Sequence, residues 1–248
     1  MTLCEKLIFC ALVFSAPAVQ GVESVPGIRG LGAKINGDQA YLYDAKFKKF
    51  DFKKGMSVSF WVKAEKWTHQ AGIISGLGDT NISKRYNTAN GSFYFNTRLG
   101  RKSASLFWAP NSFHAPAGKW INAAISYDSQ KRLTTAYLNG RKCAVWNVGK
   151  EYPNRKSYQL YEYPSKNLSF AVGKGNLSNF NGVIDEVFIY NRPLNDQEMA
   201  EVSSGKILPG IQAAYLFDDP ADPGKDSSPV QRHLVKGVGP MAHFLPLR

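Results

Sequence analysis

Apolar and polar residues alternate along most of the chain. Val58, Phe60 and Val62 occupy every second position of SVSFWVKA (57–64), and Phe93 and Phe95 alternate with Tyr94, Asn96 and Arg98 in SFYFNTR (92–98). A period of two places successive side chains on opposite faces of a strand, so each stretch predicts a strand with one face in a core. WINAAISYD (120–128) and TTAYLNGRKCAVW (134–146) continue the pattern. In the second of these, Asn139–Gly140 separates two strand-like runs. Both residues tolerate positive φ, so the pair predicts a two-residue hairpin turn. Gly, Asn, Asp and Pro punctuate the chain about every ten residues, the spacing of a sandwich or barrel. Helical spacing is found only in NDQEMAEVSSG (195–205), with Asn195 as the predicted N-cap, Glu198 completing a capping box and Gly205 just past the end.

The first 21 residues follow a different pattern. Lys6 precedes an apolar run from Leu7 to Ala16, and small residues follow at Ala18 and Gly21. That predicts a secretory signal cut after Ala18 or Gly21, because the run is far short of the ~20 apolar residues a membrane span requires. The expected location is secreted, periplasmic or extracellular. Cys4 and Cys10 would leave with the signal, and the remaining Cys143 is expected as a half-buried structural thiol. No linker or repeat divides residues 22–248, which read as one domain.

Charge narrows the candidate partners. The chain carries 31 Lys and Arg against 19 Asp and Glu, a formal net charge of +12. The basic residues bunch at 46–55, 100–103, 139–142 and 153–157. In an exported chain this excess points to anionic glycans or a negative cell surface rather than to nucleic acid, with plain solubilising charge as the alternative.

Several ordered stretches resemble the laminin-G-like, concanavalin A-like jelly-roll domains, including the pentraxin-like group. GAKINGDQAYL followed by MSVSFWVKAEKW is similar to that family's second strand and its Phe-Trp-Val strand. GKWINAAISYDSQKRLTTAYLNGRK and FNGVIDEVFIYNRPLNDQEM match its Tyr-Leu-Asn-Gly and Asp-Glu-Val stretches. The resemblance, covering roughly residues 27–205, implies an all-β, two-sheet antiparallel jelly-roll sandwich with one short helix near 195–204. Such folds host lectins, adhesins and enzymes alike. The family's usual first strand and Asp-rich loop are absent from the N-terminal side and have a counterpart at AAYLFDDPADPGKDSSPVQRHLVKGVGP (213–240). Residues 209–240 are therefore expected to complete the sandwich as a permuted first strand, since about 35 residues do not bury a core alone.

Asp185 and Glu186 are the acids most suggestive of catalysis. Adjacent strand positions point to opposite faces, which would keep the two from flanking one glycosidic bond. Strict alternation places Val183, Val187 and Ile189 with Asp185, and Ile184, Phe188 and Tyr190 with Glu186. His69, His114, His233 and His243 form no metal-type pair, and no nucleophile elbow or phosphate-binding loop occurs.

The resemblance also implies that some members hold a structural calcium near the first strand. Here Asp185, Asp218 and Asp226 are the candidate ligands, with Asp219 and Asp222 in the same acidic loop. For carbohydrate, an aromatic platform with planar polar groups is expected, and Tyr94, Arg98 and Trp108 are the candidates. The leading expectation is a secreted, non-catalytic carbohydrate-binding domain, with anionic polysaccharide a favoured ligand. A cell-surface or matrix adhesion protein is the alternative, and a glycan hydrolase or lyase a distant third.

Overall fold

A computed structural model of the protein describes residues 21–36, 40–46, 50–68, 71–77, 80–84, 93–99, 102–107, 115–160, 168–170 and 180–238. The strands run in chain order from β1 (Glu23–Pro26) through β2 (Leu31–Asn36), β3 (Ala40–Tyr43), β4 (Gly55–Ala64) and β5 (Ala71–Leu77). They continue with β6 (Thr80–Lys84), β7 (Phe93–Leu99), β8 (Lys102–Phe107), β9 (Ile121–Asp128), β10 (Leu133–Leu138) and β11 (Arg141–Asn147). A single helical turn, α1 (Val148–Glu151), precedes β12 (Ser169–Phe170), β13 (Asn181–Tyr190), helix α2 (Asp196–Ser203), β14 (Ile211–Tyr215) and β15 (Val235–Val238).

The strands form an antiparallel jelly-roll sandwich. One layer runs β11-β10-β9-β4-β13, the other β3-β12-β5-β6-β7-β8, and β2 joins them through its pairing with β3. Alternate apolar side chains meet between the layers, Phe60 of β4 edge-on to Phe93 of β7 at 6.0 Å and Phe170 of β12 edge-on to Tyr215 of β14 at 5.4 Å. Edge-to-face rings of this kind add favourable quadrupole contacts to the area they bury. Helix α2 covers the outer face of the first layer, burying Met199 and Val202 against Tyr137, Phe188 and Tyr190. Its capping box is formed as the sequence predicts, with Asn195 accepting from the Glu198 N–H and Glu198 from the Asn195 N–H. At its far end Ser203 donates to the buried Asn122 side chain at 2.9 Å, which docks the helix on β9. Asn139 and Gly140 have φ values of 49° and 74°, as the hairpin requires. The turn α1 is not predicted from the sequence; Asn147 caps it by accepting from the Lys150 N–H at 2.8 Å.

β13 departs from simple alternation. Its first half, Asn181–Ile184, pairs with β2, and its second half, Val187–Tyr190, pairs with β14 on the same edge. Between them Glu186 has φ 45°, and the register against β4 shifts between Asp185 and Phe188. This bulge adds a residue without adding a pleat. Ile184, Val187 and Ile189 therefore share the main core, while Phe188 and Tyr190 face α2. The face assignment expected for Val187, Ile189 and Ile184 from strict alternation is corrected accordingly.

Cys143 also differs from expectation. It is exposed on the edge strand β11, with Sγ donating to the Ala136 carbonyl at 3.3 Å.

Candidate functional site

Three segments that are distant in sequence build a basic depression at one end of the sandwich. The first is the turn entering β4, where Gly55 donates to the Phe52 carbonyl at 3.0 Å and Lys53 and Lys54 project outward. The second is the β9–β10 turn. Asp128 accepts there from the Gln130 and Lys131 N–H groups at 2.9 and 3.0 Å, and Arg132 adopts φ 60°. These two turns are tied together, because Ser129 Oγ donates to the Lys53 carbonyl at 3.1 Å and Ser129 N to the Lys54 carbonyl at 3.3 Å.

The third segment, 152–160, leaves α1 and is pinned by tyrosines. Tyr127 Oη donates to the Tyr158 carbonyl at 2.5 Å, and Tyr158 Oη to the Tyr152 carbonyl at 2.6 Å. Arg132 lies over the Tyr158 ring at 4.5 Å and Arg155 over the Tyr152 ring at 5.0 Å. Such cation–π contacts fix long side chains that would otherwise lose rotamer entropy on binding.

Together the segments enclose an open depression of about 550 Å³ lined by Lys53, Lys54, Ser129, Gln130, Arg132, Arg155, Lys156, Ser157, Tyr158 and Gln159. Five of these side chains are cationic and none is Asp, Glu or His. Two of the four basic clusters seen in the sequence, 46–55 and 153–157, thus converge. Arg132 was not singled out from the sequence. The turn that swings it between them depends on a positive φ, which no residue type in Ser129–Arg132 announces.

Of the sequence-predicted carbohydrate residues, only the Tyr94 side chain is among those described, and it is not part of this lining. Tyr94 is half-buried and its Oη is hydrogen-bonded to Ser105 Oγ at 2.9 Å. Ser105 N in turn donates to Tyr152 Oη at 2.8 Å, so Ser105 links Tyr94 to the tyrosine beneath Arg155. Arg98 pairs through its backbone with Ser103 in the β7–β8 ladder, and its side chain lies outside the described residues. Trp108 also lies outside them.

The carboxylates near β13 form hydrogen-bonded nodes. Asp185 Oδ2 accepts from the Ile28 N–H at 2.8 Å and the Arg29 N–H at 3.4 Å, while Oδ1 accepts from the Glu186 N–H at 2.7 Å. Burial outweighs these donors and pushes the Asp185 carboxyl up to about 7. Glu186 takes both Nε and Nη2 of Arg29, and Nη2 also reaches the Ser203 carbonyl at 3.1 Å. The bulge therefore brings both acids to one loop, 27–30, rather than to the opposite faces expected from the sequence. There they hold the loop and α2 against the sheet.

Asp218 reaches the same loop, accepting from the Leu31 N–H at 2.8 Å. Asp226 sits apart, buried beneath β14, where it accepts from the N–H groups of Ala214, Ser228 and Arg232 and from Ser228 Oγ. Asp219 is turned onto its own loop by the Ala221 N–H at 3.1 Å. The residues do not fit a calcium ion, because the lone pairs of these acids face N–H donors rather than a common centre. Among the described residues no group of three or more His, Cys, Asp or Glu side chains could hold a metal ion.

Comparison with known proteins agrees with this architecture. The profile of the concanavalin A-like lectin/glucanases superfamily matches residues 36–200, and the chain belongs to that family. Comparison with curated proteins gives no match. Among solved structures, a protein of Bacteroides ovatus proposed to bind carbohydrate is 14% identical with a TM-score of 0.59 over 88% of this chain. The present chain spans 60% of that protein's length. A heptameric SAP-like pentraxin of Limulus polyphemus is 14% identical with a TM-score of 0.53, covering 88% of this chain and all of its own. Domain 4 of an extracellular arabinanase of Geobacillus stearothermophilus, solved with arabinotriose, is 22% identical with a TM-score of 0.51 over 73% of this chain and 81% of its own. At these identities the likeness is one of fold.

Proposed function

We propose that this protein is an exported, non-catalytic carbohydrate-binding domain that uses the basic depression to hold anionic polysaccharide. The convergence of Lys53, Lys54, Arg132, Arg155 and Lys156 on one concavity carries this reading. Like charges brought this close raise the local potential and attract an anion, and a ligand that neutralises them relieves their mutual repulsion. Among the described residues the lining holds no Asp, Glu or His, the side chains from which glycoside cleavage draws its general acid and base, which supports a non-catalytic reading. The description of the arabinanase domain as extracellular and bound to arabinotriose supports the class of ligand and the location, as does the apolar run at Leu7–Ala16. Residues 22–248 act as one domain, with 209–240 completing the sandwich. The pairing of β14 with β13 supports this.

A glycan array read at two salt concentrations tests the proposal. Binding to acidic glycans that weakens with salt is the expected outcome. A blank array together with capture of a defined protein partner would turn the reading towards adhesion.

A further inference from the structure

We infer that the depression selects multiply sulfated glycan segments over glycans that carry only carboxylates or no charge. This rests on the carbohydrate reading above and narrows it. The lining supplies donors in excess: three lysines and two arginines, with no carboxylate among the described residues. Sugar hydroxyls both donate and accept, and the five cations can meet only their oxygens, which leaves acceptors for their protons to the neutral Ser129, Gln130, Ser157 and Gln159. A sulfate ester only accepts, and its three terminal oxygens can be shared between neighbouring cations such as Lys53 and Lys54, or Arg155 and Lys156. A carboxylate offers two oxygens and, being compact, is more strongly hydrated. Guanidinium groups are weakly hydrated and pair at lower desolvation cost with an anion whose charge is spread.

The aromatic surface points the same way. Tyr158 is 8% exposed, and Arg132 covers its ring at 4.5 Å. Tyr152 is likewise capped by Arg155. Tyr158 is buried, and Arg155 occupies one face of the half-buried Tyr152, which leaves little aromatic surface for the apolar side of a neutral sugar or for the nucleobases that single-stranded nucleic acid binders stack. The tyrosines instead hold the two guanidinium groups in place before the ligand arrives, which lowers the entropy lost on binding.

Titration calorimetry of the full chain with four probes tests the inference: a heparin hexasaccharide, the same hexasaccharide fully desulfated and N-acetylated, a neutral dextran oligosaccharide, and an oligothymidylate. The heparin fragment is expected to bind at least about tenfold tighter than the other three. Raising salt from about 50 to about 200 mM should weaken it about 40- to 150-fold if three to four ion contacts form. The double variant Lys53→Gln, Lys156→Gln alters two exposed side chains, so it should keep the wild-type Tm and lose about tenfold in heparin affinity. Arg155→Lys, which keeps the charge and loses the stack, should lose several-fold. Equal binding of the desulfated fragment or dextran would overturn the sulfate assignment while leaving the carbohydrate reading standing. Equal binding of the oligothymidylate, or an unchanged double variant, would overturn the assignment of the ligand or of its location. Failure of every glycan to bind would overturn both readings.

Discussion

Arg29 and Glu186 form a two-point ion pair, with Arg29 Nε 2.5 Å from Glu186 Oε1 and Nη2 on Oε2, although 156 residues of chain lie between them. Glu186 sits at the bulge where β13 passes from β2 to β14, and Arg29 links it to the end of α2 through the Ser203 carbonyl. The pair is a structural clamp. Glu186→Gln keeps one acceptor and loses the charge, so it should destabilise the protein by about 1–3 kcal/mol in urea unfolding. Glycan affinity of the folded variant should equal wild type, because the clamp is not part of the basic depression. A loss of affinity without loss of stability would show that these acids belong to the binding machinery.

Asp185 gives a pH signature. Its folded carboxyl is pushed up to about 7 by burial, whereas the unfolded one titrates near 4, so the native state retains a proton that the unfolded state has released across that interval. Unfolding stability should therefore fall as pH rises from about 4 to about 7 and level off above, with an amplitude on the order of a few kcal/mol. Asp185→Asn should remove this component from the profile of urea midpoint against pH. It should also lower the baseline, because its amide would place a donor against one of the N–H groups now facing the two oxygens. Parallel wild-type and variant profiles would contradict the assignment.

The sequence and the structure part company at this same point. Period-two alternation locates β4, β7, β9 and β10, the φ tolerance of Asn139–Gly140 locates the turn, and the capping box locates α2, because each is governed by neighbours within a few residues. It failed across Asp185–Val187, since a bulge is imposed by the two different strands, β2 and β14, that meet the same edge of β13. The basic depression was legible only as separate clusters at 46–55 and 153–157. Their meeting depends on the Tyr127–Tyr158 and Ser129–Lys53 hydrogen bonds, which join segments about 30 to 75 residues apart and carry no local pattern. Outward alternation alone also leaves a side chain's partners unread. Tyr94 alternates outward, yet its hydroxyl is held by Ser105 within the fold.

Removing residues 209–248 should abolish cooperative folding. The deletion takes away β14 with Ala213, Ala214 and Tyr215, together with Phe217 and Leu234, all in or beside the core. It also removes Arg232, whose Nη1 lies 3.0 Å from Asp44 Oδ2 where both side chains are about 97% buried. Removing one partner of such a pair costs about 3–5 kcal/mol by itself. Near-UV circular dichroism of the truncated chain should show lost tertiary packing. A truncated chain that melts as the full one does would refute the completion of the sandwich by 209–240.

Chelation should leave the protein unchanged. Asp185 and Asp218 are committed to backbone N–H groups of the loop leading into β2 and Asp226 to those beneath β14, so removing a divalent ion takes nothing from them. Thermal melts in EDTA and in millimolar calcium are expected to coincide. A rise of several degrees with calcium would instead show that the acidic loop around Asp219 and Asp222 reorganises into an ion site.

Gly55 connects the fold to the depression. It has φ 130°, and a Cβ there would lie 2.0 Å from the Tyr127 carbonyl oxygen, a backbone atom of the neighbouring strand with no side chain to swing away. Gly55→Ala must push β4 from β9 where Ser129 tethers the Lys53 and Lys54 carbonyls. The strain is expected to cost about 1–3 kcal/mol of stability. Displacing two of the five cations from Arg132, Arg155 and Lys156 should also weaken the binding of acidic glycan by the folded protein. The comparison variant is Gly118→Ala, since Gly118 also has positive φ, at 73°, but a Cβ there meets nothing within 4 Å. Calorimetry at a temperature where both variants are folded separates the two effects. Lower stability in both, with weaker glycan binding only in Gly55→Ala, is expected. Equal affinity in the two variants would mean that the turn at Lys53–Lys54 does not need its place on β9 to bind ligand.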